Sequence, residues 1–127
     1  MKRVLMVMAV AACTPAAMPD APEGAALFAE NCIMCHGVTG RGDGELAQGM
    51  KPAPSDLTRL SRNGVFPTER VLSHIDGYTR MDTQPEMPEF GLLLRGDSVP
   101  VELEDGTQSP VPRPLAALTA YLESIQR

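Results

Sequence analysis

The spacing of apolar and polar positions divides the chain into a few short helices, one pair of strands and long connecting loops. Leu27 and Phe28 give an apolar face to a helix that opens at Pro22-Glu23-Gly24 and runs through Asn31 toward Cys32, with a proline and an acidic residue suited to its first turn. Lys51-Pro52-Ala53-Pro54 reads as extended and leads into a short helix capped by Ser55 or Asp56. Val71, Leu72 and Ile75 form the buried face of a further helix that starts at Pro67-Thr68-Glu69-Arg70, takes Thr68 as its cap and stops at Gly77. Tyr78 to Phe90 shows no helical period and carries Pro85 and Pro88, so it reads as a loop. Val99 to Thr107 alternates apolar and polar residues and meets an Asp105-Gly106 turn, a hairpin signal. Leu115, Leu118, Leu122 and Ile125 then recur at three-and-four spacing in a last helix that begins at Arg113-Pro114. The expected fold class is mainly α, with about four short helices and a small β-hairpin insertion, about 92–112, before the C-terminal helix.

The start of the chain belongs to a different pattern. Lys2-Arg3 precedes about nine apolar residues, Val4 to Ala12, too short a run to span a bilayer and of the length found in export signals. Val10-Ala11-Ala12-Cys13 resembles the lipobox of bacterial lipoproteins, with Val10 in place of the usual Leu; the resemblance implies cleavage before Cys13 and a lipid on its sulfur. The expected organisation is a signal peptide over 1–12, a Pro- and Ala-rich tether over 13–22 and one domain over 23–127. The product is then exported, periplasmic and anchored to a membrane through Cys13.

Composition sharpens the question of what fills the core. The 127 residues include no Trp, two Tyr and three Phe, while twelve Pro and eleven Gly commit much of the backbone to loops. A large apolar cofactor would supply what such short helices lack. The formal charge is −5, and −7 without Lys2 and Arg3, which argues against nucleic acid as a partner and is compatible with docking to a basic surface.

The cofactor is indicated by Cys32-Ile33-Met34-Cys35-His36, a C-x-x-C-H motif of the kind that attaches a c-type haem. Residues three apart share a helix face, so both thiols reach the two vinyl groups of one porphyrin as thioethers, and His36 is placed to ligate the iron. A bare C-x-x-C would also serve a redox dithiol or half a zinc site. The dithiol wants a preceding strand in a βαβ setting and the zinc site a second ligand pair, and the sequence offers neither. One motif means one covalent haem c. If it is so used, Cys13 has no disulfide partner, and a lipid accounts for it. The following Gly37 to Gly44 loop lacks the terminal Gly-Lys-Ser/Thr and the preceding strand of a phosphate loop, and the alternating oxygen ligands of a calcium loop.

Gly24, Phe28, Asn31, the Cys-x-x-Cys-His-Gly run, Gly40-Arg41-Gly42-Asp43-Gly44 and the closing Leu-x-x-Leu-x-x-Tyr-Leu pattern resemble class I cytochromes c over about Pro22 to Arg127, the hairpin apart. The resemblance implies that four short helices surround one haem, with Gly24 crossing close to Tyr121. It implies that a proline carbonyl after the haem motif, here Pro52 or Pro54, accepts a hydrogen bond from His36. Glu86-Met87-Pro88-Glu89-Phe90-Gly91 is similar to the family's distal Met-Pro segment, so Met87 is the implied sixth ligand, with Met81 as the alternative and Met50 and Met34 behind it. His74 could also serve as a second axial ligand, but reads better as a surface or half-buried histidine. An iron held by His and Met has no open position and favours one-electron transfer. No nucleophile, base and orienting group fall together elsewhere, so the expected activity is that of an electron carrier rather than an enzyme, working with redox protein partners. A fixed haem subunit of a dehydrogenase or terminal oxidase, and a haem enzyme or gas sensor with an open sixth position, are the competing readings.

Overall fold

The computed structural model describes residues 17–78 and 87–127; Cys13, the leader and Met81 lie outside them. The order of elements is α1 (Ala21–Asn31), α2 (Ile33–His36), two 3-10 turns (Glu45–Ala47 and Leu57–Arg59), α3 (Thr68–Asp76), the strands β1 (Ser98–Glu102) and β2 (Gln108–Pro112), and α4 (Arg113–Ser124). This is the mainly helical fold with a hairpin before the last helix that the sequence leads one to expect. Among the described residues no helix is long and apolar enough to cross a membrane.

α1 begins at Ala21 because the Asp20 carboxylate accepts the Glu23 N–H at 3.0 Å, so the helix takes in two residues that the expected tether boundary leaves out. It crosses α4 where Gly24 meets the Ala117 backbone. A Cβ on residue 24 would lie 2.7 Å from that of Tyr121 and closer still to the Ala117 carbonyl. Four residues on, Phe28, 2% exposed, sets its ring 5.2 Å from that of Tyr121 at 49°.

β1 and β2 pair antiparallel with Val99 opposite Val111, and both valines enter the core that Leu115, Leu118 and Leu122 of α4 share with Phe28, Phe66 and the buried face of α3. The expected cap of α3 is corrected: Thr68 is already in the helix and no side chain of Pro67 caps it. The Glu104 carboxylate at the hairpin tip reaches the Glu69 N–H instead, with both oxygens at 3.3 Å.

Two arginines and a glutamine tie distant parts of the chain together. Arg113 pairs with both oxygens of Glu23 at 3.1 and 2.8 Å, donates to the Ala17 carbonyl at 2.6 Å, and gives its own N–H to Asp97. Gln126 accepts from the N–H groups of Leu60 and Ser61 and donates to the carbonyls of Leu57 and Leu122. Arg127 bonds the Thr58 hydroxyl at 2.7 Å and Asp56 at 3.1 Å. The turn at Leu57–Arg59 is thereby clasped to the end of α4.

Candidate haem site

The backbone breaks at Cys32 (φ −119°, ψ −27°) and restarts as α2, a single turn that brings Cys32, Cys35 and His36 to one cleft. The loop after it folds back on the motif: Gly42 N–H donates to His36 O at 2.8 Å and Gly44 N–H to Cys35 O at 3.1 Å. Gly44 passes so close to the backbone of Ile33 to Cys35 that a Cβ there would lie 2.6 Å from the Cys35 carbonyl carbon. Glycine is what lets this loop wrap the motif.

The cleft measures about 490 Å³, within the roughly 300–1,000 Å³ that takes a sizeable organic ligand. The thiols and imidazole line one side, the Pro52 to Ser55 segment another, and Val71 and Ile75 of α3 with Met87 and Phe90 complete it. Met87 is held there because Phe90 and Gly91 donate to the carbonyls of Ile75 and Asp76 at 3.0 and 3.2 Å, fixing its segment against the end of α3. Met50 and Met34 also reach the lining, Met34 at an exposed edge, and His74 faces the cleft from α3.

His36 is buried, and its Nδ1 lies 3.1 Å from the Ser55 carbonyl. A carbonyl only accepts, so Nδ1 carries the proton and Nε2 is left with the lone pair a metal needs. Burial lowers the imidazole pKa, the hydrogen bond to Ser55 only partly opposing this, and so favours the neutral form that ligates. The partner expected at Pro52 or Pro54 is thus corrected to Ser55. The Leu57 N–H bonds Gly40 O at 2.7 Å and the Pro54 carbonyl lies against Gly42, which leaves the next carbonyl aimed at the imidazole.

The surroundings of Cys32 differ from those of the attacking thiol in a redox dithiol. Burial, with Cys35 adding to it, pushes Cys32 up to about 11, whereas an attacking thiol of such a pair is acidified. Among the described residues no three His, Cys, Asp or Glu side chains gather as a metal-ion site. The groups fit a different ligand: a large apolar ring that two sulfurs could hold covalently, with a neutral imidazole and a thioether also in the lining of the cleft.

The family model for cytochrome c matches residues 21–126, and the chain belongs to the cytochrome c family. Membership brings covalently bound haem c and a role in electron transfer. No curated protein matches the chain. A solved structure that does is a chain of the reducing HAO-like protein complex of Kuenenia stuttgartiensis, with a TM-score of 0.56 and 21% identity over 82% of this chain, a likeness of fold. The present chain covers 41% of that one.

Proposed function

We propose that the protein is a one-electron carrier in a periplasmic or membrane-tethered respiratory chain, in which Cys32 and Cys35 hold one haem c as thioethers and His36 and Met87 ligate its iron. The observation that carries this reading is the convergence of both cysteines, a neutral His36 with Nε2 available, and Met87 on a single cleft. Haem held in this way would supply one-electron ferric/ferrous chemistry with no position left open for substrate. The chain's own residues anchor it, fix the imidazole through Ser55 and exclude water with Val71, Ile75 and Phe90. The net charge of −5 suits redox partners with a basic docking surface.

The reading is tested on mature protein. Pigment should stay with the denatured chain, and the oxidised spectrum should show the weak long-wavelength band of thioether–iron ligation. Met87→Ala should abolish that band. If the band persists in Met87→Ala and vanishes when Met81 is replaced, the ligand is Met81. An iron that is five-coordinate and takes up carbon monoxide at once would instead make the protein a sensor or enzyme.

The proposal includes export, with a lipid on Cys13, supported by the Lys2-Arg3 start and the Val10 to Cys13 pattern. Mass spectrometry of the mature chain is the test, and an unmodified Cys13 thiol rules the anchor out. A second reading, a haem subunit fixed in a larger oxidoreductase, draws on the exposed Tyr78, Leu92 and Leu93 near the Met87 segment. Co-purification of a large enzyme at constant stoichiometry would favour it.

A further inference from the structure

The cleft is charge-asymmetric in a way the ligand set does not explain. The chain has sixteen acidic and eleven basic residues, yet the described residues lining the cleft include no Asp or Glu. What they do include, apart from His36, is Arg70 and, one helical turn on, His74, both on α3. Positions four apart share a helix face, and Val71 and Ile75 bury the stripe beside them, so Arg70 stands exposed at the cleft rim. It is also uncommitted among the described residues: the ion pairs there join Arg59 and Arg127 to Asp56, and Arg113 to Glu23.

A haem carries two carboxylates on the edge opposite its vinyl groups. With the vinyl edge fixed at Cys32 and Cys35, that acidic edge has to find another wall. We infer that Arg70 receives a haem carboxylate, so that the acidic edge of the macrocycle would face α3 and carry the positive charge of Arg70 beside it. The inference rests on the haem reading above and adds the orientation of the cofactor and a residue that sets its potential. A guanidinium meets a carboxylate with two parallel N–H bonds in a fixed plane, a geometry that remains specific at an exposed rim. A cation held there also favours the ferrous form, in which the site carries one positive charge less.

The test uses the mature, haem-loaded protein and compares midpoint potentials of the parent, R70L, R70K and R95L, each with its absorption spectrum. Arg95 is exposed, is not in the cleft lining, and controls for loss of one surface charge. R70L should shift to a more negative potential with its ligand band intact, R70K should recover much of the shift, and R95L should stay near the parent. The inference is overturned if R70L matches the parent, or if R70L and R95L shift equally. Should R70L fail to mature, R70Q takes its place, and a potential no lower than that of R70K overturns the inference just as firmly. Failure of the haem reading itself looks different, since the parent would then lack covalent pigment or the thioether band.

Discussion

At the scale of single residues, the site depends on two places where backbone must come close. Gly24 is one. With the Ala117 carbonyl and Tyr121 Cβ occupying the space of any side chain at position 24, Gly24→Ala must push α1 away from α4. Overpacking of this kind costs about 1–3 kcal/mol, and a lowered denaturant midpoint at unchanged slope is the expected result. This contact was legible only through the resemblance of Gly24 and Tyr121 to the crossing helices of class I cytochromes c. The acceptor for His36 was not. Pro52, Pro54 and Ser55 lie in one extended run, and the carbonyl that faces Nδ1 is selected by the Leu57 to Gly40 hydrogen bond, a register that no local residue type announces.

At the scale of elements, the hairpin braces α3. Its tip supplies the Glu104 carboxylate that meets the Glu69 N–H, thirty-five residues away in sequence, while Val99 and Val111 pack beneath. Glu104→Ala should therefore cost about 0.5–2 kcal/mol, the range for losing a helix cap, and Glu104→Gln less, since an amide oxygen still accepts. Comparing denaturant midpoints of the two variants checks this, and equal losses would mean that the contact contributes little. The strand alternation and the Asp105-Gly106 turn made the hairpin readable. Its service to α3 was hidden, because Thr68 placed a plausible local cap just where a remote one acts. Of the expected stripe in α4, Leu115, Leu118 and Leu122 are buried while Ile125 falls at the C-cap, half-buried; Ala116, Ala117 and Thr119 are buried as well, since α1, α3 and the hairpin surround the helix. Small residues in that run were the available sign.

At the scale of the whole molecule, the clasp between the turn after the Pro-rich segment and the end of α4 makes the fold sensitive to acid. The Thr58 hydroxyl first, and then the Thr58 N–H and Arg127, hold the Asp56 carboxyl below its ordinary 3.8. The stabilisation is present above that ordinary value and is lost as pH falls through the lower folded one. Asp56→Asn should thus melt lower than the parent at neutral pH, with the gap closing in strong acid; melting curves along a pH series give the comparison. Helices, hairpin, thiols and His36 could be read from spacing, because each depends on neighbours within a few residues. Gln126 and Arg127 could not, because their partners at Asp56 to Ser61 are brought to them only by the completed chain.

Arg113 has a mechanical consequence. By gripping the Ala17 carbonyl as well as Glu23, it makes the start of α1 the point where any pull from upstream enters the domain. Arg113 opens α4 and Glu23 lies in the first turn of α1, so a load arriving there is shared between the two crossing helices, eleven residues (about 16 Å) before the helix reaches Cys32.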